Sequence, residues 1–451
     1  MKAVDIHGPN HIEKKSVPMI GHQIEKPSAN HQLKRTTFLM ADGRHGHKFC
    51  AMTWGYPAIF GVYQLYYTET LGLPRAQISW IGSIQIFITL FLCTLSGRLA
   101  DAGFSRHALL AGSLLAVFGT FMTSLTQRYW EILLAQGICT GIGLGLMFMP
   151  TIAVISSYFK RRRAMALTFA AAGTGTGSTV FPATVQYLTP QIGFPWAVRC
   201  SAFIALLLVI VMNLLFRPKL RPRKTGPLAE WGAFREPIYL LFSCGSFFYF
   251  WALYFGFFYV SAGGCSSSSR DSVLANMGVH QINSYARNII GFSSTTSINL
   301  LLITNVAGLP ARPFVGWLAD TCFGPVNTFT VALACVGALL YAWIGVRDQA
   351  GMYGFSAAYG IVVGASQGMF VASLASLTND PEKMGTRFGM VCTLMAFATL
   401  AGPPTAGAII DQSGGRYIYA QIWGGTVMLI GAVVFGIARV CKTGKKLMVK
   451  A

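Results

Sequence analysis

Arg312 is the residue whose type and position most directly imply chemistry. It lies eight residues ahead of Asp320 in a run with no other charge. In a helix that separation is ~12 Å, close to the centre of a ~30 Å hydrocarbon slab. A guanidinium at such a depth is costly and marks a place where a polar partner is needed. An anion, above all a carboxylate, satisfies its planar fork of donors. The structural alternative is that the side chain snorkels to the interface or takes backbone carbonyls freed by Pro310 and Pro313. Asn305, two turns earlier on the same helical face, could hydrogen-bond the same carboxylate.

Other chemistry is sparse. The 15 acids all read as helix-end or tail residues, and so do the eight histidines. His7, His11, His22, His31, His45 and His47 precede the first apolar run, in a segment expected to be a disordered cytosolic tail. Two of their spacings could in principle hold a metal, but no Cys or carboxylate stands in register, so no metal site is expected. Six of the ten cysteines (Cys93, Cys139, Cys200, Cys244, Cys335 and Cys392) sit within apolar runs without a C-x-x-C pair, and read as small hydrophobes. Gly173, Gly175 and Gly177 resemble a phosphate loop only superficially. They lie inside an apolar run with no following Lys-Ser/Thr, so close helix packing is the expected role. No catalytic constellation shares a depth, and no ATP site or cofactor is expected.

The elements that must position these residues follow from composition. Of 451 residues, 53% are hydrophobic and 11% charged, against ~25% charged in soluble domains. That excludes a soluble fold and disorder. Twelve apolar runs are long enough to be spans: about 49–68, 77–97, 108–126, 131–157, 164–188, 194–216, 237–260, 288–315, 325–346, 351–377, 387–411 and 418–440. The first contains Gly, Pro and polar breaks. Twelve crossings put both termini on one side, and 27 of the 35 basic residues fall on that side. By the positive-inside rule it is cytosolic. The net charge of +20 is therefore a topology signal facing anionic lipid, not a nucleic-acid groove.

The chain also repeats. Gly97-Arg98-Leu99-Ala100-Asp101 recurs 219 residues later as Gly316-Trp317-Leu318-Ala319-Asp320. The same offset carries Pro182 to the neighbourhood of Pro403 and Pro404. Two pseudo-symmetric six-helix bundles are implied, 49–216 and 237–440, joined by a basic loop or interfacial helix, 217–236, and flanked by tails 1–48 and 441–451. In the motif, glycine allows close approach. The aspartate can cap a neighbouring helix and pair with a loop cation. Arg106 is that cation in the first copy; Thr321-Cys322-Phe323 offers none in the second.

The paired motif resembles the signature of the major facilitator superfamily. Tyr158-Phe159-Lys160-Arg161-Arg162-Arg163-Ala164 followed by Ala171-Ala172-Gly173-Thr174-Gly175-Thr176-Gly177 is similar to the monocarboxylate porter family. Thr53-Trp54-Gly55 with Gly61-Val62-Tyr63-Gln64-Leu65-Tyr66-Tyr67 resembles its fungal members, as does Ser284-Tyr285-Ala286-Arg287. The resemblance covers roughly 42–440. It implies an all-α membrane protein with the major facilitator fold, and a substrate-linked arginine at the position of Arg312. Tyr63, Tyr254 and Gln367 lie in spans that line the cavity in this superfamily, where such residues more often serve helix packing than ligand contact. Three features depart from the family. The aspartate it carries one turn before the arginine is replaced by Gly308, which leaves proton coupling incomplete. The first helix looks about two turns short, and the Ser-rich segment 261–282 interrupts a loop that is normally brief.

The resulting expectation is a secondary transporter of small organic anions, monocarboxylate-like, acting by alternating access, with proton symport as one coupling mode. It would be a monomer in the plasma membrane with cytoplasmic termini, its partners being the anion and membrane lipid, without nucleic acid or ATP. The alternative cargo is a fungal secondary metabolite leaving the cell, or another small solute such as a vitamin, with Arg312 structural. A nutrient receptor of transporter fold is disfavoured by the short tail after Val440, and an enzyme by the missing constellation.

Overall fold

The computed structural model describes residues 47–48, 50–73, 75–158, 162–216, 227–261, 294–377, 383–414 and 416–444. The histidines up to His45, most of the 261–282 segment with Arg287, and most of both tails lie outside these residues. The described chain is helical and contains no strand. Helix α1 runs through a π-turn, Ala51–Gly55, and a 3-10 turn, Tyr56–Ile59, into Phe60–Glu69. Helix α2 comprises Arg75–Phe91 and Cys93–Asp101, α3 is Ser105–Thr123, and α4 runs from Tyr129 through a π-helical stretch, Leu133–Thr140, to Tyr158. Then follow α5 (Arg163–Ile192), α6 (Phe194–Leu215), α7 (Pro237–Ser261), α8 (Ser294–Leu318), α9 (Pro325–Ala342), α10 (Gln349–Leu377), α11 (Met384–Gln412) and α12 (Ile418–Thr443).

Among the described residues, eight helices are long and apolar enough to cross a membrane: α2, α3, α4, α6 and α9 to α12. Helix α7 carries a shorter apolar stretch, Pro237–Leu253. Helices α1, α5 and α8 fall outside that set for a physical reason. Helix α5 packs on both α1 and α8, and residues such as Gly173, Gly177, Gln64 and Asn305 face protein or the cavity between helices. Large apolar side chains such as Leu114, Phe118, Leu207, Leu214, Val331 and Val433 stay exposed on the outer helices, as a hydrocarbon solvent requires.

The two largest pairings between the first six helices and the last six are α5 on α8 and α2 on α11; α5 also meets α10, and α4 meets α11. Exchange of halves converts one pairing into the other. Small residues set the approach. A Cβ at Gly97 would overlap the Gly385 carbonyl oxygen, and one at Gly389 would overlap that of Cys93. At Gly316 it would overlap the Thr168 hydroxyl.

The repeated motif does not follow its helix; it forms the last turn of α2 and straddles the end of α8. That placement aims each aspartate at a helix start in the opposite half. Asp101 accepts from the Gly385 and Thr386 backbone N–H groups, at 3.0 and 2.7 Å, and from the Thr386 hydroxyl at 2.7 Å. Asp320 accepts from the Met165 N–H at 2.8 Å. Two orphan helix N-termini, of α11 and α5, are thereby capped with negative charge at their positive ends. The expected ionic partner of Asp101 is not Arg106, which is exposed; the carboxylate oxygens are already held by α11. The second copy, which lacks a loop cation, caps all the same. Each cap is worth about 1–2 kcal/mol. Asp101→Ala and Asp320→Ala are each expected to lower the melting temperature of the detergent-solubilised protein, and the double variant to lower it further.

Of the link between the halves, residues 227–236 are described, and they contain a short 3-10 turn, Trp231–Arg235. Glu230 binds Lys383 at 2.7 Å and Arg387 at 3.1 Å, and Glu236 binds Arg387 at 2.7 Å. Burial pulls the Glu230 carboxyl upward, but the two cations more than offset it and hold it below the usual carboxylate range. The end of the link is thereby tied to the start of α11.

Candidate functional site

Helices α1, α2, α5, α8 and α10 converge on two adjoining cavities of about 110 and about 60 Å³. Both include Trp54, Thr174 and Gln367 in their walls. The larger extends along α1 and α2 and takes in Gln64, Gln85, Leu301 and Asn305. The smaller lies nearer the capped helix ends and is walled by Cys50, Phe148, Phe250, Phe370 and Arg312. The walls are apolar and aromatic with a few convergent polar groups, which is the make-up of a small-molecule site.

Arg312 is buried at 2% exposure. Its Nη2 donates to Gln367 Oε1 at 2.8 Å. Its Nε and Nη1 have no partner. The guanidinium therefore neither snorkels nor collects carbonyls freed by Pro310 and Pro313, although both prolines do lie within α8. Its place is set by glycine. A Cβ at Gly175 on α5 would overlap Arg312 Nη1 and stand 2.9 Å from Leu309 Cδ2. Gly173 and Gly177, one step to either side, turn the other way and admit α1: a Cβ at either would overlap the backbone of His47 or Ala51. Successive odd positions on a helix alternate faces by ~200°, so three glycines serve two neighbours. Gly308, where the resembling family carries its aspartate, packs α8 on α10, and a Cβ there would sit 2.7 Å from the Gly360 carbonyl oxygen. An aspartate has no room.

The structure brings three of the expected site residues together: Arg312, Gln367 and Asn305. Asn305 spends its Nδ2 on the Leu301 carbonyl at 3.0 Å and remains in the wall of the larger cavity. Tyr63 is placed elsewhere. It is fully buried in an aromatic cluster with Tyr67 and Phe194 and lines neither of these cavities. The sequence pattern gave its span but not which face of α1 it occupies. Tyr254 lies in the last turns of α7, where only the backbone is described. From that helix Phe250 reaches the smaller cavity, while Tyr249 hydrogen-bonds Ser366 at 2.9 Å.

Three residues escaped sequence reasoning. Gln64 and Gln85 stand in the wall of the larger cavity with buried Nε2 atoms that have no partner. A search for ionisable groups passes over amides, yet a buried amide without a partner also costs ~1–3 kcal/mol. The third is His47. Its Nε2 lies 3.0 Å from Thr176 Oγ1, one residue beyond Gly175 and thus level with Arg312. The expectation that no histidine reaches this depth is corrected here. Because His47 lies beside Gly173, a residue that reads as preceding the first span stands level with the site.

A profile of the Major Facilitator Superfamily matches residues 49–380. An MFS-type transporter of Gibberella zeae is 36% identical over 86% of this chain and 83% of its own length. The aspyridones efflux protein apdF of Emericella nidulans is 31% identical over 90% of this chain and 79% of its own. The agnestins efflux protein AgnL12 of Paecilomyces divaricatus is 31% identical over 89% and 87%. Among solved structures, the human organic anion transporter MFSD10 superposes with a TM-score of 0.65 at 13% identity, covering 89% of this chain and 99% of its own.

Proposed function

The chain belongs to the Major Facilitator Superfamily, and we propose that it exports an amphiphilic organic acid, as its anion, that is a product of fungal secondary metabolism. The observation that carries this reading is the bare Nε and Nη1 of the buried Arg312, set in a largely apolar wall. A carboxylate accepts from one of these nitrogens, and an aromatic or acyl body fills the rest. Two relatives named as efflux proteins support the outward direction. Gln64 and Gln85 would donate to carbonyl or hydroxyl oxygens further along the cargo. In this reading twelve helices cross the bilayer with both termini in the cytosol, as in the monocarboxylate porter branch, and the halves 49–216 and 237–440 rock about the cavities in a monomer at the plasma membrane.

The test is counterflow in proteoliposomes with a panel of labelled aromatic carboxylic acids and their methyl esters. The acids are expected to exchange and the esters, which lack the charge, to exchange at least ~10-fold more slowly. Equal exchange of acid and ester would refute the anion assignment.

A further inference from the structure

We propose that the larger cavity is a selectivity subsite for a neutral oxygen, where Gln64 on α1 and Gln85 on α2 donate to a carbonyl at the far end of the cargo. The cargo class is then an elongated monoanion: a carboxylate at Arg312 and a keto, ester or amide oxygen remote from it. Acids of two or three carbons and dicarboxylates fall outside that class. The inference rests on the anion reading above and narrows it.

Both amides are buried, Gln64 at 2% and Gln85 at 1% exposure, and the Nε2 of each has no partner. Both belong to the wall of the larger cavity. Two other polar groups of that wall are already engaged: Thr89 Oγ1 donates to the Gln85 carbonyl at 2.8 Å, and Asn305 Nδ2 to the Leu301 carbonyl at 3.0 Å. No residue of the wall is ionisable. The cavity therefore offers bare N–H donors and no charge. A ketone oxygen, which only accepts, matches it. A second carboxylate would shed its water there with no cation to replace it.

The repeat gives the separation. Arg312 lies eight residues before Asp320, and Gln85 lies 16 before Asp101, the matching residue of the first motif. Gln85 is thus ~12 Å farther from the capped helix ends than the Arg312 backbone. The arginine side chain takes up part of that distance, leaning back along α8 as helical side chains do. A Cβ at Gly175 that overlaps its Nη1 would also stand 3.3 Å from the Asn305 carbonyl oxygen. About 6–9 Å remains between guanidinium and amide. A para-substituted benzoate bridges that gap and acetate does not. Gln367, bonded to Arg312 and present in the walls of both cavities, stands beside the path.

Selectivity follows from what the wrong cargo leaves behind. An apolar group in the larger cavity keeps two buried donors unpaired. A site built to bond an oxygen rejects the analogue without it more strongly than an apolar pocket rejects an added one.

Three benzoates of similar shape test this at neutral pH: para-acetylbenzoate, its near-isostere para-isopropylbenzoate, and the dianion terephthalate. Binding to the purified full chain is read by calorimetry. The wild type is expected to prefer para-acetylbenzoate to each of the others by at least ~10-fold, the worth of about one hydrogen bond. In a Gln64→Leu/Gln85→Leu protein the preference over para-isopropylbenzoate is expected to vanish. Equal wild-type affinity for the ketone and the hydrocarbon overturns the subsite with no variant needed, and so does terephthalate binding as tightly as the ketone. A double variant that keeps the full preference also overturns it. In each of these cases the anion reading stands. A wild type that binds none of the three, or an Arg312→Ala protein that binds para-acetylbenzoate equally well, overturns the anion reading and this proposal with it.

Discussion

Arg312→Ala is expected to reduce carboxylate exchange in proteoliposomes by more than ~100-fold while leaving a folded, monodisperse protein. The magnitude follows from the site. Breaking a desolvated ion pair by removing one partner costs ~3–5 kcal/mol, because the other charge stays buried without compensation. At 1.4 kcal/mol per decade, even the lower figure exceeds two orders of magnitude. The fold is expected to survive, because Arg312 gives the empty protein a single hydrogen bond, to Gln367. Two of its three nitrogens are buried and bare, a burden of ~1–3 kcal/mol for each unsatisfied group. Arg312→Leu is accordingly expected to raise the melting temperature while abolishing exchange. Arg312→Lys, which keeps the charge but loses the planar fork, should fall between, at about a tenfold loss. An Arg312→Leu protein that melts lower than wild type would show the guanidinium to be structural.

Gly177→Val is expected to leave almost no folded protein, whereas Gly175→Ala, two residues away, should fold and bind poorly. At Gly177 an added Cβ meets backbone: it overlaps the Ala51 carbonyl oxygen and stands 2.9 Å from Gly55 Cα. Gly55 meets Gly177 in return, 2.6 Å from its Cα. Neither helix can yield without moving α1 off α5, and overpacking of this kind costs ~1–3 kcal/mol for side chains that can adjust, more for backbone that cannot. At Gly175 the atoms met first are the ends of the Arg312 and Leu309 side chains, which can swing away. The guanidinium is displaced, and affinity for an aromatic carboxylate should fall about tenfold, since off-target charge placement sacrifices roughly one charge-assisted hydrogen bond. Fluorescence-detected gel filtration of a fluorescent-protein fusion reads the first outcome and calorimetry the second. A Gly177→Val protein that elutes as sharply as wild type would refute the close α1–α5 contact.

Much of the site could be read from residue types alone. Arg312 was legible because a charge in an apolar run has few possible meanings. The aspartates of the repeat were legible because a small residue and an acid at one spacing, twice, define a capping contact. Three things were not legible. The starting depth of α1 depends on which residues of α5 it meets, and Gly173 and Gly177 give their partner only in three dimensions. Without that depth His47 reads as a tail residue. The face of α1 that carries Tyr63 was also hidden, since the apolar and polar residues of this helix follow no helical period that would orient it; the structure turns Tyr63 into the α1–α6 aromatic packing and Gln64 toward the cavity. Finally, the polar and small residues of α5 and α8 are explained only by their partners: they serve the contact between halves.

The two aspartate caps also bear on ancestry. Asp101 reaches from the first half to α11 in the second, and Asp320 reaches from the second half to α5 in the first. Partners that swap in this way are what two identical copies of a six-helix unit produce when they associate about a twofold axis, where one surface is complementary to itself. In such a forerunner a single mutation would alter both contacts at once. Fusion released that constraint: the three bonds at Asp101 and the bond at Asp320 now sit in separately mutable codons, and selection can weaken one joint without touching its twin.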